Sequence, residues 1–196
     1  MKSNLIFIGM PAVGKSTVGI VVAKRLGMNF IDTDLLIQEQ EKKLLREIIA
    51  EVGQDGFLKI ENQVNADLEA ENSVISPGGS VIYCSDAMKH YKEIGTVVYL
   101  KASYQTIKKR IHNPKKRGVV LRKDQSFRDI YNERVPYFEK YADITVCEDG
   151  CRIEDTIENV INAVGEYRKQ QKKRKKKKYR KQAGTGYRKA SDKKNT

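Results

Sequence analysis

The chain has 196 residues, 39% of them hydrophobic and 8% aromatic, with no Trp. That is enough for one packed domain and short for two, and no apolar run approaches the ~18–20 residues needed to cross a bilayer. The net charge of +13 is unevenly placed: residues 168–196 hold 15 of the 38 basic residues and one acid, Asp192, a net +14, which leaves −1 for the other 167.

In chain order, Leu5 to Ile8 is a short apolar run that ends in a glycine. It is too short for a signal peptide and reads as a buried strand. Thr17 to Leu26 has helical spacing, with Val18, Val21, Val22 and Leu26 on one side. Asn29 to Ile31 is a second short strand. From Leu35 the chain is helical, with apolar clusters at Leu44-Leu45 and Ile48-Ile49. Phe57, Ile60, Val64 and Leu68 then mark an amphipathic helix. Ser73 to Ser76 is a third strand, closed by Pro77-Gly78-Gly79. Thr96 to Leu100 is the fourth and Ala142 to Val146 the fifth. Ile153 to Tyr167 is the last helix of the body, with Ile153, Ile157, Val160, Ile161 and Val164 on its apolar face.

Strands alternating with helices predict an α/β fold, a parallel sheet with helices on both faces. Ligands then bind beyond the carboxyl ends of the strands. Residues 1–167 are expected to form a single domain. One stretch within it, about 112–125, breaks the pattern: it is basic, carries Pro114 and Gly118, and lacks helical periodicity. A loop of this length beside a phosphate site predicts a mobile lid.

Gly9-Met10-Pro11-Ala12-Val13-Gly14-Lys15-Ser16-Thr17 fits G-x-x-x-x-G-K-[ST] in full, between an apolar strand and an amphipathic helix. Gly9 and Gly14 allow backbone angles that gather N–H groups around one anion. The helix that follows adds its positive dipole end. Gly9, Ala12, Val13, Gly14, Lys15, Ser16 and Thr17 are therefore the expected ATP cradle. Lys15 reaches for the β- and γ-phosphates, and the Ser16 hydroxyl is an expected Mg²⁺ ligand.

Asp32-Thr33-Asp34 follows the second strand. Two carboxylates at this spacing can face one cleft. Asp32 is the expected partner of Mg²⁺, through water, and Asp34 the group that orients and deprotonates an acceptor hydroxyl. A helix N-cap is the other use of this triplet, and both uses can hold together.

These residues, with the Gly-Gly turn, the basic lid and an Arg-x-Pro motif, resemble the shikimate kinase family over about residues 1–165. The resemblance implies a P-loop kinase fold with a five-stranded parallel sheet in the order 2-3-1-4-5. It implies transfer of the ATP γ-phosphoryl group to the 3-hydroxyl of shikimate with Mg²⁺, a cytoplasmic monomer, and an anionic hydroxylated metabolite as acceptor. It also implies roles. Asp34 grips the acceptor hydroxyls and acts as base. Phe57, Glu61, Gly78, Gly79 and Arg134 line the acceptor site, with Arg134 on the carboxylate. Arg117 is the lid arginine on the phosphates, and Arg110 lies near the adenine. Read without the resemblance, Arg134 is equally a surface arginine paired with Glu133 or Asp129.

The departures from the family pattern lie on the acceptor side. The motif Phe-Arg-x-x-Glu reads Phe57-Leu58-Lys59-Ile60-Glu61, so an arginine that pairs with the acceptor carboxylate is Leu58. Pro77 replaces the first glycine of a triple-glycine turn, and Gly118 stands where the family has proline after the lid arginine. Leu44 replaces a small polar residue and Ile49 an aromatic. Another hydroxy acid or a polyol is the alternative acceptor.

The cysteines Cys84, Cys147 and Cys151 are too few for a disulfide framework and fit a reducing cytosol. Cys147-x-x-x-Cys151 lacks the four ligands of a zinc site. The block Lys172 to Lys178, followed by Tyr179-Arg180-Lys181, repels itself and is expected to be disordered or partly helical, with Gly184-Thr185-Gly186 ending any helix. Such a tail can bind nucleic acid or an anionic surface through counterion release. That sustains the alternative of a P-loop nucleic-acid-associated factor.

Overall fold

The computed structural model describes residues 3–111 and 125–191, with side chains beyond 174 only at 176. Five strands form one sheet: β1 (Asn4–Ile8), β2 (Asn29–Asp32), β3 (Ser73–Ser76), β4 (Gly95–Lys101) and β5 (Ile144–Cys147). All pairings are parallel and the order is β2-β3-β1-β4-β5. Seven helices accompany them: α1 (Lys15–Leu26), α2 (Thr33–Glu41), α3 (Leu45–Ala66), α4 (Ser85–Ile94), α5 (Tyr104–Arg110), α6 (Phe127–Tyr141) and α7 (Ile153–Ser191). The predicted α/β class and strand order hold.

The centre of the sheet is the core. Leu5, Ile6, Phe7 and Ile8 of β1 and Val97, Val98, Tyr99 and Leu100 of β4 are buried. A parallel strand covered on both faces loses its alternation and reads as a continuous apolar run. The edge strands differ: β5 alternates buried and exposed residues, and β2 is only partly covered. Of the five strands the sequence located β5 least well: it starts two residues and ends one residue later than expected.

α1 starts directly after Gly14 and stops at Gly27, whose left-handed φ of 64° lets its N–H bond back to the carbonyls of Ala23 and Lys24. Lys24 and Arg25 in its last turn complement the dipole. α3 is broken at Gly53, where φ 69° and ψ −178° form a conformation only glycine adopts without strain. That break re-aims the segment carrying Phe57 and Glu61.

Three helices, α4, α5 and α6, have no counterpart among the elements read from the sequence. α4 buries only Ala87, Met88 and Tyr91 among charged neighbours, and α5 is two turns long with Ile107 alone buried. The lid, with Arg117, lies outside the described residues. Contacts divide the chain into two units at Val160/Ile161, the second being helical backbone to Ser191. The helix passes through Gly184-Thr185-Gly186, where the sequence predicted its end. A glycine costs about 1 kcal/mol in a helix interior but keeps its N–H, so the backbone ladder continues.

Among the described residues no helix is long and apolar enough to cross a membrane.

Candidate active site

Parallel strands deliver their carboxyl ends to one edge. There β1 runs into the phosphate loop, β2 ends at Asp32 and β3 leads into Pro77-Gly78-Gly79. A cavity of about 370 Å³ opens between them. Its walls include Lys15, Ser16, Asp32, Asp34, Phe57 and Arg134, and the backbone of Gly78 and Gly79. Ala12, Gly14 and Thr17 border it too. The sequence thus foresaw much of the lining. Pro11, Leu45, Ser76 and Ser80 also line it and were missed. Their signal was position alone, next to a motif or a strand end.

The loop wall is made of backbone. Gly9 and Gly14 have φ of 151° and 110°, and Ala12 takes a left-handed φ of 64°. The Lys15 ammonium donates to the carbonyls of Gly9 (3.1 Å) and Met10 (3.5 Å). Burial pushes its pKa down, Asp34 pushes it up and Arg134 adds to the fall.

Ser16 Oγ donates to Asp32 Oδ2 at 2.7 Å and lies 3.2 Å from Ser76 Oγ. The other oxygen, Asp32 Oδ1, accepts from the Asp34 N–H at 3.1 Å and caps α2. The Asp32 side chain thus caps α2 and also borders the cavity. This all-oxygen pair fits Mg²⁺, which takes one or two protein ligands plus phosphate and water oxygens. No cluster of three or more His, Cys, Asp or Glu capable of holding a metal occurs among the described residues.

On the opposite wall, burial raises Asp34 to about 6, with the Asp32 charge adding to the rise and Lys15 opposing it. Glu61 is raised to about 7, again by burial first, with Ser80, Arg134 and Lys15 pulling down. Both folded values exceed the ordinary ones. Over roughly pH 4 to 7 the folded protein therefore keeps protons that the unfolded chain has released, and each group costs stability as the pH rises.

Glu61 stands behind Gly78 rather than in the cavity wall. A Cβ on Gly78 would sit 2.5 Å from Glu61 Oε1 and 2.9 Å from Asp34 Oδ1, so no side chain fits. Gly79 is held between Pro11 and Arg134, whose Nη1 lies 3.2 Å from the place a Cβ would take.

Arg134 is only 2% exposed, and its Nε finds no hydrogen-bond partner. Among the described residues no carboxylate makes an ion pair with it. Glu133 instead accepts from Tyr83 and Gln125, and Asp129 caps α6 with Ser126. The surface-pair alternative is thereby removed. Its guanidinium lies 5.4 Å from the centre of the Tyr83 ring. Its charge acts on Glu61 without an ion pair, and Nε stays unsatisfied, so an incoming anion would offset the cost of burying it.

Gly9 and Val13 are buried members of the loop and do not line the first cavity. Val13 and Arg110 line a second cavity of about 290 Å³ that adjoins Ala12 and Gly14. Leu58 lies outside the lining of the first cavity; its carbonyl accepts from Cys84 Sγ at 3.5 Å. Lys59 is exposed.

The shikimate kinase family model matches residues 11–165. The chain belongs to the shikimate kinase family. It is 36% identical to the shikimate kinase of Bacillus mycoides over 147 residues, covering 74% of this chain and 88% of that one. The shikimate kinase of Chlorobium chlorochromatii is 33% identical over 180 residues, 86% of this chain and 94% of its own. Among solved structures, the Acinetobacter baumannii shikimate kinase in complex with shikimate superposes with a TM-score of 0.76 at 26% identity, covering 83% of this chain and 92% of that one. The Aquifex aeolicus shikimate kinase gives 0.72 at 29%, covering 83% and 96%. The matched span includes every residue lining the two cavities.

Proposed function

We propose that this chain phosphorylates shikimate at the expense of ATP through the first cavity, with the residues in the following roles. The observation that carries the acceptor assignment is Arg134, a buried guanidinium whose Nε has no hydrogen-bond partner, which makes no ion pair among the described residues and which borders the cavity beside Asp34. It suits the carboxylate of a hydroxylated acid, and a neutral polyol would leave it unpaired.

The loop N–H groups, Lys15 and the start of α1 hold the β- and γ-phosphates. Ser16 and Asp32 would hold Mg²⁺, which when bound neutralises charge on those phosphates. Gly78 and Gly79 let the acceptor ring approach the backbone, and Phe57 packs against it. Glu61 acts from behind Gly78 on the charge of Asp34. Asp34 orients the acceptor hydroxyl and takes its proton. The hydroxyl oxygen bonds to the γ-phosphorus, the bond to the β-phosphate oxygen breaks, and ADP leaves with the electron pair. Arg117 would close over the phosphates from the lid, and Arg110 takes the nucleobase side. Catalysis is assigned to residues 1–167, and the basic tail is given no part in it.

The test is Arg134→Ala in the full chain. A charge-assisted hydrogen bond is worth about 1.5–3 kcal/mol, so KM for shikimate should rise roughly 10–150-fold while KM for ATP stays within twofold. An unchanged shikimate KM in a folded variant would overturn the assignment.

A further inference from the structure

Behind the phosphate loop stands a charged pair of which the proposed reaction uses only Arg110 and leaves Glu148 without a role. Arg110, at the end of α5, donates from Nη1 to the Val13 carbonyl (2.9 Å) and to Glu148 Oε2 (2.6 Å). Glu148 follows β5 and is 3% exposed. Its own N–H is anchored on the Lys101 carbonyl at the end of β4 (2.8 Å). Three separate pieces of chain are thus tied together at one guanidinium.

The pair is half-satisfied. Glu148 Oε1 is buried without a hydrogen-bond partner, 4.0 Å from where a Cβ on Gly14 would be. Burial raises the Glu148 carboxyl, and Arg110 holds it down. A buried carboxylate with an orphaned oxygen is usually no more stable than well-packed apolar residues of similar volume. Stability is therefore a poor reason for this acid, and the second cavity offers a better one. That cavity is lined by Ala12, Val13, Gly14, Arg110, Glu148 and Thr156, among others, and it abuts the loop that receives the phosphates. The part of a nucleotide that projects beyond its phosphates is the base, and a planar guanidinium stacks on a planar ring only when its orientation is fixed.

We propose that Glu148 is a positioning residue for the nucleotide: it locks the Arg110 guanidinium as one wall of the base site and, through the Val13 carbonyl, fixes the loop beside it. This rests on the reading that the loop binds ATP. An unpinned Arg110 would have to be ordered at the moment of binding, at a cost in affinity.

The experiment is a double-mutant cycle in the full chain with Glu148→Gln, Arg110→Ala and both together. ATP and ADP binding are measured by calorimetry, and KM is determined for each substrate. Glu148→Gln should weaken nucleotide binding about tenfold, leave kcat and the acceptor KM within twofold, and add nothing in the Arg110→Ala background. Independent, multiplying losses, equal losses for both substrates, or no change in nucleotide affinity would each overturn the proposal. Should Glu148→Gln fail to fold, Glu148→Met keeps the volume, removes the buried charge and is read the same way. A wild-type chain that binds no nucleotide overturns the ATP reading and this inference together. Normal wild-type binding with unaffected variants overturns this inference alone.

Discussion

The phosphate loop and the wall opposite it face the same cavity and are built by different means. The loop is contiguous: nine residues whose backbone angles, not side chains, make the anion site. The opposite wall gathers Asp34 from α2, Phe57 from α3, Pro77 to Gly79 after β3, and Arg134 from α6. A backbone site survives most side-chain substitution and stays recognisable. A wall of side chains changes one residue at a time; Pro77, a departure from the family, falls there, and Leu58 lies beside it, next to Phe57 but outside the lining. In the proposed reading the acceptor carboxylate falls to Arg134, with Leu58 where the family pattern has a second arginine.

The largest break in this comparison should come from the residue between the walls. Asp34→Asn removes the base and should lower kcat by about 10²–10⁴-fold with ATP binding intact, as single-turnover and calorimetric measurements would show. In the wild type, with Asp34 held up to about 6 by burial, kcat/KM for the acceptor should fall as the pH drops below that value, approaching tenfold per unit. A profile flat from pH 7 to pH 5 would remove the base assignment.

Gly78→Ala tests the close approach. The new methyl would meet Glu61 Oε1 at 2.5 Å, and overpacking of this kind costs about 1–3 kcal/mol. A lower thermal midpoint and a raised acceptor KM should appear together. The equivalent test on the loop wall, Thr17→Ala, should leave the midpoint nearly unchanged.

These two residues also show what the sequence could tell. Asp34 was legible because a spacing rule ties it to the loop, and the sheet order followed from alternation and the family resemblance. The orphaned state of Arg134 was not legible, since Glu133 and Asp129 were equally available partners until the fold gave them to Tyr83 and Ser126. Glu61 was named for the acceptor site, yet it stands behind Gly78, a depth that helical spacing cannot reveal. Glu148 escaped altogether, because its partner Arg110 is 38 residues away and no local pattern joins them. α5 escaped because it buries Ile107 alone and shows no period, α6 because Pro136 interrupts its pattern, whereas α4 does set Ala87, Met88 and Tyr91 on one face and was passed over.

Leu58→Arg sharpens the comparison in the opposite direction. Restoring a second arginine on the α3 wall should lower the shikimate KM by up to about tenfold if the new guanidinium reaches the carboxylate. An unchanged KM would mean the break at Gly53 has turned position 58 away from the acceptor. The smallest effect belongs to the tail. Replacing the seven basic residues Lys172 to Lys178 with Gln should leave kcat/KM for both substrates within twofold at physiological ionic strength, and a larger loss would bring the tail into the reaction.

The central claim is met most directly by steady-state ADP release from Mg-ATP by the full chain, with shikimate beside a panel of polyols and other hydroxy acids. The account predicts saturable turnover with shikimate, at a KM between about 1 μM and 1 mM, and little with neutral polyols. Turnover with a neutral polyol and none with shikimate would contradict it.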